Sequence, residues 1–325
     1  MRRAGLALCV AAVVMMASAW ASAQEPKAPA ADPKAATEVK AEDAKVPATQ
    51  VVQVGTYLLS LGKLDMSTGT YTADFYLWMK SDKKFTQAYE FMNGRAGSTD
   101  SIQDNDTEKW WRIQANLQIP VDLKRYPFDS QKLQIVLEDK KQTLPGFKYA
   151  PLDNESGIDP SIQFAGWEIA GMQGTVSEHS YPWGEKYSQY VLNVDIRRAK
   201  LNAFMKPFMP VIFIMLVVLS SFILGPDKAG TRLAMVSSGL VACVMFHLSI
   251  TSSIPPVGYL TFADKFMVLT YFILLGSFFL NAWIMVLIDK KKDEARAQRV
   301  HKSTEWSVFF VVPALYVGLF LTLLL

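Results

Sequence analysis

An exported, immunoglobulin-like β-sandwich followed by an α-helical bundle of four transmembrane spans is the fold this sequence predicts. Three observations predict it. Residues 51–199 hold short runs rich in β-branched and aromatic side chains, several of them alternating. Four apolar stretches follow, Phe204–Leu224, Arg232–Ile254, Phe266–Ile288 and Trp306–Leu325, each long enough to cross a bilayer as a helix. Ahead of both, Arg2 and Arg3 precede an apolar run and Ala21-Ser22-Ala23 supplies small residues, the pattern of a secretory signal.

Composition narrows the function classes. A formal net charge of +3, with no basic stripe interleaved with aromatics, gives no reason to expect nucleic acid. The two cysteines, Cys9 and Cys243, fall in the signal and in the second span. The exported domain therefore holds no disulfide and relies on its own core and on neighbouring subunits. No glycine-rich phosphate loop opens a helix, and no Cys/His cluster has metal-ligand spacing. His179 is the one histidine of the β region, so a hydrolytic triad has no support. An enzyme is not indicated, and neither cofactor nor metal is expected.

Taken in order, residues 1–23 read as a cleaved signal peptide rather than a retained anchor. Residues 24–50 are Ala, Pro, Lys and Glu with almost no large apolar side chain, and read as a flexible linker. The runs VQVGTYLLSLGKLD, TYTADFYLWM, WWRIQANLQIP, QKLQIVLED and YSQYVLNVDIRR read as strands, separated by turn clusters such as MNGRAGSTD and LDNESGIDPS. GPDKAG, between the first two spans, suffices only for a tight turn. DKKKDEARAQRVHK, after the third, is a basic loop. Positive charge is retained on the cytoplasmic side, so four spans place the β-domain and the C-terminus outside, in agreement with the export signal.

The second span is unusual for a membrane helix. It carries Ser237, Ser238, Ser249, Thr251, Ser252 and Ser253. At about 100° per residue, Ala234, Ser238, Val241, Met245, Leu248 and Ser252 share one stripe. Small or polar groups at both ends with apolar side chains between would suit a water-lined path with a hydrophobic constriction. A buried helix whose small residues permit close packing is the alternative reading of the same span.

The motif Tyr126-Pro127-Phe128-Asp129-Ser130-Gln131 is similar to the aromatic-Pro-aromatic-Asp-x-Gln loop of bacterial pentameric ligand-gated ion channels, the prokaryotic branch of the Cys-loop receptor superfamily. Ile119 and Leu133 fall where eukaryotic members carry the loop cysteines, as is typical of prokaryotic ones. Arg198 at the end of the last strand, Pro210 in the first span and Pro255-Pro256 after the second complete the resemblance, which covers nearly all of the chain from Val51 onward. It implies a homopentamer embedded in lipid. Each subunit would place its second span at the pore, and a small agonist, unidentified here, would bind outside between adjacent sandwiches. It implies gating through the Tyr126–Asp129 loop against the Pro255–Lys265 linker, with Asp129 and Arg198 as an ionic core. The plainer expectation is a turn-capping Asp129 and a snorkelling Arg198.

Carried over residue by residue, the family's pore-facing positions are Ala234, Ser238, Val241, Met245, Leu248 and Ser252, the stripe already drawn from periodicity. Val241, Met245 and Leu248 would form the gate, since a narrow apolar ring dewets. His247 lies about half a turn from Ser238 and is expected to face other helices. Proton sensing is a second role for it, because imidazoles as a class titrate near neutrality. Thr231 stands where many cation-selective relatives have Glu, so the lean toward permeating cations rests on resemblance alone. SEHSYPWGEKYSQY resembles the loop that caps the agonist cleft, making Tyr181, Trp183 and Tyr187 ligand candidates, with Trp78, Trp110 and Trp111 offered by a neighbour. Trp167 is expected in the core. Lys80 replaces the Trp of the family's W-x-D pattern, a departure that tells against an amine agonist and leaves an anion, protons, a divalent ion or an orphan channel open. A non-conducting, membrane-tethered periplasmic sensor of the same architecture is the alternative function.

Overall fold

The computed structural model describes residues 49–323, except Gln87 and Ser253. The signal and nearly all of the linker lie outside the described residues. Ten strands form two sheets. They are β1 (Gln50–Leu61), β2 (Thr70–Lys80), β3 (Tyr89–Phe91), β4 (Gly94–Asp104), β5 (Glu108–Gln118), β6 (Ser130–Asp139), β7 (Phe147–Pro151), β8 (Gly157–Ile158), β9 (Trp167–Ser180) and β10 (Lys186–Arg198). One sheet runs β4-β5-β2-β1-β7 with β8 also on β1; the other runs β3-β6-β10-β9.

Alternation makes the sandwich. Tyr71, Ala73, Phe75, Leu77 and Met79 on β2 point inward, and Leu133, Ile135 and Leu137 on β6 with Tyr190, Leu192, Val194 and Ile196 on β10 meet them in one core. Each large aliphatic or aromatic side chain so buried contributes roughly 1.5–3 kcal/mol. Trp167 is partly buried and packs against this core.

Five strands escape the sequence reading: the short β3, β7 and β8, the last inside the expected turn cluster LDNESGIDPS, and the long β4 and β9. GRAGSTD, expected as a turn cluster, lies in β4, an antiparallel edge strand on β5 with two register shifts. Its side chains are nearly all exposed, so no apolar period marks it. β9 pairs with β10 along its whole length, although Gly171 and Gly174 interrupt its pattern.

The four spans are α1 (Lys200–Ser220), α2 (Ala229–Thr251), α3 (Phe262–Asp289) and α4 (Glu294–Leu321), all long and apolar enough to cross a membrane. A 3-10 turn at Pro226–Lys228 joins α1 to α2. Gly239 permits close approach of these two helices: a Cβ there would stand 2.4 Å from Val218 Cγ2. DKKKDEARAQRVHK is not a loop throughout, because α4 already begins at Glu294. Asp293 caps it by accepting from the Arg296 amide (3.0 Å), and Ala297 and Val300 pack with Ile284 and Leu287 of α3. The connection shrinks to residues 290–293.

Candidate functional site

The β-domain and the bundle meet at the β5–β6 connection. Asp129 is buried there, and its Oδ1 accepts from Arg198 Nε at 2.6 Å while Oδ2 accepts from Gln131 Nε2 at 2.8 Å. Gln131 in turn donates to the Asp122 carbonyl and accepts from its amide, so the loop is braced from within. The Arg198 guanidinium lies over the rings of Trp167 (4.4 Å) and Tyr126 (5.1 Å). One arginine thus joins the end of β10, the start of β9 and this loop. The Tyr126–Pro127 peptide is cis.

The same loop caps the third helix. Thr261 and Asp264 form a reciprocal capping box at the start of α3. The next two free amides of that turn, on Phe262 and Ala263, donate to the carbonyls of Lys124 and Tyr126, each at 3.0 Å. Leu123 donates its amide to the Tyr259 hydroxyl at 2.9 Å. Helix ends leave such amides unpaired unless something outside the helix accepts from them, and here the β-domain backbone does. Below, Phe128 reaches into the bundle against Phe208, Phe262 and Phe320, from α1, α3 and α4. Pro255 and Pro256 lie in the connector after α2; the hydrogen bonds to the loop run through Tyr259, Phe262 and Ala263 instead.

Along α2 two faces separate. Arg232, Val236, Gly239, Cys243 and Ile250 are buried, whereas Ala234, Ser238, Val241, Met245, Leu248 and Ser252 are all exposed in the single chain. Val241 and Met245 each expose 63% of their surface. A groove of about 430 Å³ between α1 and α2 is lined by Ile214, Val217, Thr231, Ala234, Ser238 and Gly239 among others. Between the two faces, His247 turns to α3, with Nδ1 2.9 Å from the Tyr271 hydroxyl and Nε2 3.2 Å from Asp264 Oδ1. Because Asp264 Oδ2 already accepts from Thr261, one carboxylate ties α2 to the cap of α3.

At the far end of the sandwich, Tyr181 stacks on Trp183 (4.4 Å) and meets Tyr187 edge-on (5.4 Å) at the β9–β10 turn. Gly184, at φ +96°, makes that turn possible. Glu185 accepts from both Trp183 Nε1 and the Tyr187 hydroxyl at 3.0 Å. Glu138 of β6 is buried beneath and accepts from the Tyr181 hydroxyl (2.9 Å) and Gln189 Nε2 (2.8 Å), with His179 Nδ1 at 3.2 Å. Partial burial, then the Glu138 carboxylate, push the Tyr181 phenol up to about 12. It therefore stays a donor at neutral pH.

Trp78 and Trp110 sit on the other sheet as a cross-strand pair stacked at 5.3 Å. Trp78 is buried, with Gly55 leaving room for its indole, and Trp110 is its partly exposed cover. Trp111 points into the core. Lys80 pairs with Glu155 (2.8 Å) and Glu108 (3.6 Å), so its charge is locally balanced. Among the described residues no ring contact joins this pair to the Tyr181 group.

Sequence reasoning missed Glu138, Tyr259, Asp264 and Phe320. Thr261-x-x-Asp264 is a capping-box signature that could have marked the start of α3 and its carboxylate. Glu138, in an otherwise alternating strand, carries no comparable signal.

Fold and site together define a multi-pass membrane protein whose β-sandwich is hydrogen-bonded to the helix that follows its hydroxyl-rich second span. The chain is similar to the proton-gated ion channel of Gloeobacter violaceus, at 24% identity over 161 residues. That match covers 49% of this chain and 44% of the relative, so the chain matches less than half of the relative's length. No family model matches.

Proposed function

We propose that this chain is one subunit of a bacterial pentameric ligand-gated ion channel. In this reading the chain comprises a signal peptide (1–23), a linker (24–50), a periplasmic ligand-binding sandwich (51–199) and a pore domain (200–325) in the inner membrane, with the C-terminus also periplasmic. The observation that carries it is α2: six side chains chosen by helical periodicity form its exposed stripe, hydroxyl-bearing at Ser238 and Ser252 and apolar between. A helix with that face needs water or further copies of itself beside it, and the groove between α1 and α2 offers a neighbour's helix a seat. Ligand binding opens such a pore only if it favours the open arrangement. The Asp129–Arg198 pair and the loop-to-α3 hydrogen bonds supply the route from sandwich to helix. The name of the Gloeobacter relative makes protons a leading agonist, and selectivity leans toward cations.

Reconstitution of the full chain into planar bilayers tests this. Steps in pH and a panel of amines, acids and divalent ions are expected to evoke unitary currents, with reversal potentials that report the permeant sign. Assembled protein that stays silent under every stimulus would favour the non-conducting sensor.

A further inference from the structure

Near the sandwich the bundle is clasped by hydrogen bonds; its opposite end encloses an arginine with few partners. Ala229, the first residue of α2, packs there with Ile284 and Leu287 of α3 and Ala297 of α4. One turn deeper on each helix stand Arg232, Asn281 and His301, with Ser221 and Phe222 just past α1. Arg232 is wholly buried. Among the described residues its Nε and Nη2 have no hydrogen-bond partner, and neither do the Ser221 hydroxyl and Asn281 Oδ1. The guanidinium lies over the Phe222 ring at 5.1 Å, and Nη1 stands 3.3 Å from His301 Nδ1.

That last contact fixes a protonation state. A guanidinium can only donate, so Nδ1 accepts, and the imidazole is neutral with its proton on Nε2. Glu305, one turn further along α4 and half-buried, acts by charge on both groups. Among the described residues it is in no ion pair. The other charges at this end are engaged elsewhere or in solvent: Asp293 caps α4, and Asp227, Lys228, Asp289, Lys290, Arg299 and Lys302 are exposed. A buried cation is tolerated only where charge and hydrogen bonds compensate it. Arg232 has one bond, one ring and the field of one carboxylate. Charging His301 at Nδ1 would remove the bond and set a second cation 3.3 Å from the first.

We propose that Arg232 positions the inner end of α2, held against α4 by the neutral imidazole of His301 and the charge of Glu305, and that a proton taken up by His301 releases it. Ala234, two residues on, begins the exposed stripe, so a shift of Arg232 moves the mouth of that stripe. The inference rests on the channel reading, in which α2 lines the pore and this end faces the cytoplasm. Agonist acts at the sandwich, whereas this site answers acid on the opposite side of the membrane.

Two measurements on the full chain test it. The first reads the thermal midpoint of the extracted oligomer between about pH 7.5 and about pH 5.5, where histidines charge. H301N keeps an acceptor toward Arg232 and cannot titrate, while His179 and His247 are present in both proteins. Wild type is expected to lose a few degrees more than H301N, because acid takes the bond only from the imidazole. Equal losses overturn the proposal, and so does a wild-type midpoint that does not move; should H301N not assemble, H301Q makes the same comparison. The second applies acid in reconstituted bilayers to the side of the α3–α4 turn alone. The agonist midpoint of wild type is expected to shift about fivefold, and that of H301N to stay in place. No shift, or one that H301N shares, overturns Arg232 as a positioning residue. Protein that shows the thermal difference yet never conducts keeps the proton-sensitive contact and removes the channel reading instead.

Discussion

α2 and α4 both leave an apolar stripe uncovered in the single chain, yet the two stripes are built differently. On α2 the stripe is Ala234 and then Val241, Met245 and Leu248 bracketed by Ser238 and Ser252. On α4 they are Trp306, Phe310, Val317 and Leu321, bulky and ending in cations. Exposure alone does not distinguish a face turned to water and sister helices from one turned to lipid. Side-chain size and the company of hydroxyls do, because acyl chains solvate rings well and hydroxyls poorly.

The largest effect expected from this contrast comes from a charge placed on each stripe. Phe310→Asp puts a carboxylate among acyl chains, at about 2.5–3.5 kcal/mol, and assembled protein in the membrane should fall on the order of a hundredfold. Val241→Asp faces water in the proposed ring and should assemble near wild-type yield. Equal losses, read by size exclusion of the extracted protein, would erase the distinction.

A second test sharpens how α2 is tied to the sandwich. Asp129→Asn leaves the part-buried Arg198 guanidinium without its anion, at a cost of about 2–3 kcal/mol, less than the full range for wholly buried pairs because Arg198 is partly solvated. Agonist-evoked current should be lost while the oligomer still forms. Unchanged concentration dependence would remove Asp129 from the coupling route.

Smaller effects follow within α2. Val241→Ser makes the apolar middle of the stripe wettable and should raise resting leak and shift the activation midpoint about fivefold, on the order of 1 kcal/mol. No change in either would move the gate elsewhere. His247→Phe removes the bonds to Asp264 and Tyr271, about 1 kcal/mol net, and should lower the thermal midpoint of the extracted protein by a few degrees. A midpoint at the wild-type temperature would show that the α2–α3 tie carries no stability.

Much of this contrast was legible in the sequence, and the unread part has physical causes. β1, β2, β5, β6 and β10 announce themselves because one face of each is buried and the period is two. β4 does not, since an edge strand with both faces wet has nothing to alternate. The first two turns of α4 read as loop because charge outweighs the small buried stripe of Ala297 and Val300. The α2 stripe was readable by helical period, but the clasp on α3 was not: its amides from Phe262 and Ala263 reach backbone carbonyls, and carbonyls carry no residue code. Likewise Phe320, distant in sequence from Phe128, gives no local sign that the two rings meet.

Cysteine accessibility in reconstituted protein tests the central claim most directly. A charged, membrane-impermeant thiol reagent, applied to Val241→Cys and Phe310→Cys with the native Cys243 buried as background, samples water on each stripe. Modification of Val241→Cys alone is the predicted result. Modification of Phe310→Cys with Val241→Cys protected would contradict it, and α2 would no longer line water.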